Sequence, residues 1–248
     1  MESTLKRIIL LTIITFFSGC NTQNLTNNSK LGKIAKKFET NGNKLIEAAL
    51  NDTLGFSRLA DMCDTFGPRF SGSDNLEKAL DWILKEMKAD GLENVHAEDV
   101  MVPKWVRGNE SAQMISPWKK NLDMLGLGGS IGTGPNGITS EVVVVSSFED
   151  LEARASEAKG KIVLFNVPFT SYGQTVQYRS GGAIAASKAG ALGSIIRSVG
   201  PFSMNTPHTG GMRYEEGVRK IPHAAITVED AAMIARMVNR GQSVKIKL

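Results

Sequence analysis

Between residues 139 and 248, short apolar runs alternate with helix-period segments, and few architectures accommodate that alternation. The runs at 141–146, 161–166, 194–197, 224–228 and 244–248 are four to six residues long and rich in Val and Ile, the habit of strands. Between them, the spacing predicts helices over 148–158, 182–190 and 229–240. Runs such as Val142-Val143-Val144-Val145 have no polar residue at alternate positions, so both faces of the strand must be covered. The expected fold is therefore an α/β layer of sheet and helices, beginning near residues 106–118.

The N-terminal third reads as mostly helical. Over 73–90, Leu76, Leu80, Ile83, Leu84 and Met87 recur at three- and four-residue spacing, Asp74 with Glu77 suggests a capping box, and Gly91 supplies a left-handed stop. Helices are also expected over 30–50 and over 54–66, the latter ending at Gly67-Pro68. After Gly91 the pattern predicts strands over 94–102 and 121–127, followed by a glycine-rich loop over 128–137.

The first 20 residues carry Lys6 and Arg7, an apolar stretch over 8–17, and then Ser18, Gly19 and Cys20. This is the order of an export signal, and it is too short for a spanning helix of roughly 20 apolar residues. Phe17-Ser18-Gly19-Cys20 resembles a bacterial lipobox, which implies lipid on Cys20. Residues 21–30 are nearly all Asn, Thr, Ser and Gln, a composition suited to a tether. The expected location is outside the cytoplasm, lipid-anchored and facing the periplasm or exterior, or secreted.

A net charge of +4 is spread without a basic block, so no nucleic-acid partner is expected. With only Cys20 and Cys63, no disulfide forms within the mature chain; Cys63, in an apolar pattern, is expected to be a buried small hydrophobe. Gly132-x-Gly134-x-x-Gly137 has dinucleotide-turn spacing and Gly128-x-Ser130-x-Gly132 matches a nucleophile elbow, but each device needs a helix directly after it, and a strand is expected instead. The chain holds three histidines, His96, His208 and His223, and no paired-cysteine or His-Glu-x-x-His motif, so no metal site is expected. His96 reads as a solvated strand residue and His223 as structural. His208, in Thr206-Pro207-His208-Thr209-Gly210-Gly211, stands where loops display functional side chains. Asp61/Asp64 and Glu215/Glu216 read as solvated pairs.

The stretch Asp64-Thr65-Phe66-Gly67-Pro68-Arg69-Phe70-Ser71-Gly72-Ser73 strongly resembles the start of the carboxypeptidase Q family. Leu125-Gly126-Leu127-Gly128, Arg154-Ala155-Ser156-Glu157-Ala158, Gln177-Tyr178-Arg179 and Pro207-His208-Thr209-Gly210 continue the resemblance in family order to residue 248. It implies a co-catalytic di-zinc exopeptidase acting on dipeptides or short peptides, in which an α/β peptidase domain is interrupted by a protease-associated-type domain. On that basis residues 31–105 are the N-terminal part of the peptidase domain and 106–248 the inserted domain. The family's zinc ligands and general base lie downstream of the inserted domain, so two zinc ions are expected in the full-length family and none on this chain. The chain alone is expected to be inactive. Tyr178, Arg179 and His208 are the candidates for residues facing substrate or the missing half. A homodimer stays open as a partner. Two other functions stay open: a free-standing exported binding module, and a serine hydrolase using Ser130.

Overall fold

Four parallel strands organise the molecule, and each divides its side chains between two cores. The computed structural model describes residues 32–202 and 204–248; the export signal over 1–20 with Cys20, and the tether over 21–30, lie outside the described residues. The chain forms two compact units, Met1–Thr65 and Phe66–Leu248.

In the first unit, α1 (Lys33–Asn51) and α2 (Leu54–Phe66, whose last residue opens the second unit) follow the expected ranges closely. Neither helix buries a residue, and Ile34, Phe38 and Leu45 form an exposed apolar stripe on α1. Cys63 on α2 is exposed, against the expectation of burial. No helix among the described residues is long and apolar enough to cross a membrane.

The second unit opens with α3 (Asp74–Ala89). Its cap is Ser73, whose hydroxyl accepts from the Leu76 N–H, so the capping residue stands one position before the expected Asp74. Gly91, at φ 78°, ends the helix as expected. Residues 94–102 form no strand: no neighbouring strand pairs with their backbone among the described residues, and Val100 and Met101 are exposed. Alternation alone does not make a strand where no neighbour takes up the N–H and C=O groups.

The sheet runs β1 (Ala112–Ser116), β2 (Lys120–Leu122), β3 (Met124–Gly126), β4 (Thr139–Val145), β5 (Ile162–Phe165), β6 (Gly193–Arg197), β7 (His223–Ile226) and β8 (Lys245–Lys247). Its spatial order is β2-β1-β8-β4-β5-β6-β7-β3. β4 to β7 are parallel and in sequence order; β8 returns antiparallel beside β4, and β3 closes the far edge antiparallel to β7. The segment expected as one strand over 121–127 is two, which part at Asp123 to opposite ends of the sheet. β1 arises where the domain boundary was expected.

The helices are α4 (Phe148–Ala153), α5 (Ala155–Ala158), α6 (Tyr172–Lys188) and α7 (Val228–Asn239). The helix expected over 148–158 breaks at Arg154, whose Nη1 donates to the Val144 carbonyl at 2.9 Å. Ile162, Leu164, Ile195 and Ile226 pack with Ala231, Ile234 and Met237 of α7. Val163, Phe165, Ile196 and Ala225 pack with Leu151, Ala183 and Ala186 on the opposite face. Each fully buried Ile or Leu contributes about 1.5–3 kcal/mol, and this two-sided burial is what the unbroken apolar runs encode.

α6 begins ten residues before its expected start. Ser171 caps it, its hydroxyl accepting from the Gln174 N–H. Gly182 lets it approach the sheet closely, since a Cβ there would stand 3.0 Å from the His223 ring and 3.2 Å from the Phe165 ring. Gly182→Ala is expected to lower unfolding stability by about 1–3 kcal/mol through overpacking, read as a reduced urea midpoint.

Candidate functional site

The carboxyl ends of β6 and β7, together with the N-terminal half of α6, gather the polar groups that no core claims. Helical periodicity places Tyr172 and Arg179 two turns apart on one face of α6. The Arg179 guanidinium lies over the Tyr172 ring, 5.4 Å from its centroid. Its Nη1 makes a long 3.5 Å contact to the Thr209 carbonyl, and its Nε is buried without an acceptor. Gly210 backs the guanidinium so closely that a Cβ would fall 2.5 Å from Arg179 Cζ.

The long connection from β6 to β7 reaches this face because it is tied to the sheet at several points. The Ser198 hydroxyl donates to the Ile226 carbonyl at 2.7 Å and accepts from the His208 N–H at 2.8 Å. Gly128 N–H donates to the Gly210 carbonyl and Met212 N–H to the Gly128 carbonyl, each at 2.9 Å, forming a parallel bridge between Gly128 and Gly211. The exposed His208 imidazole meets the Tyr172 ring edge-on at 6.2 Å and 77°. Of the three candidates from sequence, Arg179 and His208 thus share one aromatic neighbour, Tyr172, which sequence reasoning missed and which the i, i+7 spacing to Arg179 could have supplied.

Tyr178 goes elsewhere. One residue along the helix it turns inward, stacking 4.6 Å from Phe148 and 5.6 Å from Phe165. Burial, with a smaller contribution from Glu149, raises its phenol above the ordinary value. Tyr178 and Arg179 therefore stand on a helix, although they precede the helix expected over 182–190.

The glycine-rich loop over 128–137 is a latch. The Ser130 hydroxyl accepts from the His223 N–H at 2.9 Å and donates to the Ile131 carbonyl at 3.0 Å, while the Ser130 carbonyl accepts from Trp105 Nε1. The Tyr214 hydroxyl accepts from Ile131 N–H and donates to the Ile221 carbonyl. No helix follows; β4 does, so the loop satisfies neither the nucleophile elbow nor the dinucleotide turn. No imidazole is aimed at Ser130.

His223 is buried, with Nδ1 3.2 Å from the Ser194 carbonyl and Nε2 3.2 Å from the Tyr178 carbonyl. A neutral ring has one N–H for these two acceptors. Burial drives its pKa from the ordinary 6.5 down to about 4, against the carbonyl hydrogen bonds that raise it. His96 is not in a strand; it is exposed, 3.6 Å from Glu98. Glu215 pairs with Lys188 at 2.8 Å on the surface. Among the described residues, no group of three or more His, Cys, Asp or Glu side chains converges to hold a metal ion. These residues do not fit a zinc centre.

No family model matches the chain. It is 55% identical over 193 residues to carboxypeptidase Q of Homo sapiens and 54% identical over 193 residues to that of Mus musculus, a span covering 78% of this chain and 41% of each relative. The carboxypeptidase Q of Xenopus laevis is 45% identical over 253 residues, covering 98% of this chain and 54% of the relative. The chain thus spans about half the length of the curated relatives it matches. Among solved structures, a peptidase M28 precursor from Shewanella amazonensis superposes with a TM-score of 0.81 at 36% identity, over 86% of this chain and 50% of that one. A zinc aminopeptidase from Bacillus subtilis, at 20% identity and a TM-score of 0.53, shares the fold.

Two outcomes are expected. Because the His223 pKa is depressed, below pH 6.5 the unfolded chain binds a proton that the native state refuses. Stability is then complete above pH 6.5 and falls towards pH 4, by on the order of 3 kcal/mol from this group; urea unfolding at stepped pH should show that slope, and His223→Gln should flatten it. Ser130→Ala should cost about 1 kcal/mol of stability, and the unaltered chain should take no label from a fluorophosphonate probe.

Proposed function

We propose that this chain, homologous to carboxypeptidase Q over most of its length, supplies the N-terminal portion of an exported zinc metallopeptidase that hydrolyses dipeptides or short peptides. The match at 54–55% identity over 193 residues carries this reading. Residues 31–105 would open the peptidase domain, and 106–248 would form the protease-associated-type domain inserted into it. The metal ligands and general base would come from residues outside those described, since none of the latter converge on an ion. When bound by such ligands, zinc would polarise the scissile carbonyl and activate water.

What the residues of this chain would contribute is position and not bond cleavage. The N-terminus of α6 and the loop bearing His208 follow the carboxyl ends of β5 and β6, the edge where open α/β sheets meet ligands. Arg179 and His208 would face substrate there, while the core contacts of Tyr178 make it a support for the helix. Export through the N-terminal signal, with lipid on Cys20, would set this enzyme on a membrane facing the periplasm or exterior.

A second reading, an exported binding module without catalysis, draws support from the sheet, whose two cores are completed by helices of the same unit. Assay of the purified 248-residue chain separates the two from a complete enzyme. Dipeptide hydrolysis should be undetectable and no zinc should be retained after gel filtration; stoichiometric zinc with turnover would overturn the proposal. Co-expression with the downstream half of a relative should restore hydrolysis under the peptidase reading and leave it absent under the module reading.

A further inference from the structure

An arginine buried even in part normally has a carboxylate or several carbonyls to satisfy its five N–H groups. Arg179 does not. Its polar contacts reduce to the 3.5 Å approach of Nη1 to the Thr209 carbonyl, its Nε lacks an acceptor, and no carboxylate among the described residues pairs with it. Leaving a charged donor so poorly matched costs free energy, and the surroundings nonetheless hold it in one place. The Tyr172 ring supports one side, and Gly210 closes in behind, where any Cβ would displace the guanidinium.

The neighbours match this unspent capacity. Tyr172 is half exposed and His208 is exposed, so the ring that carries Arg179 stands at the solvent boundary. His208, fixed through Ser198 to the ends of β6 and β7, brings a second nitrogen donor against the same ring. A planar fork, an aromatic wall and an imidazole suit a planar anion with two oxygens better than a spherical one, and a carboxylate has that geometry.

We infer that Arg179, Tyr172 and His208 form a carboxylate-binding site and, resting on the peptidase reading above, that the carboxylate it takes is the C-terminus of a short peptide. Arg179 is the specificity-determining residue: its guanidinium accepts a peptide with a free terminus and rejects the amide, which offers one acceptor and no charge. Gly210 is a positioning residue that keeps the fork in register.

Calorimetric titration of the 248-residue chain with glycylglycine, glycylglycinamide and acetate tests this. Glycylglycine should bind, with the amide at least about tenfold weaker, and Arg179→Lys should lower glycylglycine affinity about tenfold by replacing a bidentate fork with a point charge. Gly210→Ala should weaken binding in the same direction, and it preserves the arginine should Arg179→Lys fail to fold by circular dichroism. Acetate binding as tightly as glycylglycine would support the carboxylate site while removing the peptide reading on which its occupant rests. No detectable binding of glycylglycine or acetate, equal binding of peptide and amide, or unchanged affinity in both Arg179→Lys and Gly210→Ala would overturn the inference.

Discussion

The division of each central strand into two packing faces is the constraint on which the rest of the structure depends. Ile162 and Leu164 point to one core and Val163 and Phe165 to the other, so β5 cannot shift by one residue without exchanging both sets of contacts. That register fixes where the parallel strands end. It thereby fixes the starting points of the loop bearing His208 and of the helices beside it. The side chains at the rim are placed mainly by apolar residues several positions below them, with the Ser198 hydroxyl as a polar tie.

The sequence reading succeeded where burial left a periodic trace. Strands β4 to β7 were anticipated within about two residues because Val, Ile and Phe have nowhere else to go. It failed where the decisive contact was between backbones or small residues. The stretch of α6 from Thr175 to Gly182, with Val176 and the pair Gly181-Gly182, has poor intrinsic helix propensity. It is helical because Gly182 lets the helix lie against the His223 and Phe165 rings, a contact with no local signature. The opposite error fell at 94–102, where alternation was present and a pairing partner was not.

The candidate site shows the same asymmetry between chemistry and placement. Loop context was enough to single out His208, and resemblance brought attention to Tyr178 and Arg179. Neither could distinguish two adjacent residues whose side chains leave the helix about 100° apart, one into an aromatic cluster and the other towards Tyr172. Ser130 was the converse case: a tempting motif whose hydroxyl is fully engaged in holding the loop to His223.

One hydroxyl sets the behaviour of the rim. Ser198 bonds the end of β7 through the Ile226 carbonyl and receives the His208 amide on the same oxygen. Two elements with different natural timescales, a buried sheet and a solvated loop, are thereby geared together at one atom. The backbone beneath His208 moves at the pace of the sheet, leaving mainly the rotation of its imidazole free. In the carboxylate site inferred above, such an anchor would present the loop already assembled, with little conformational freedom left to lose on binding.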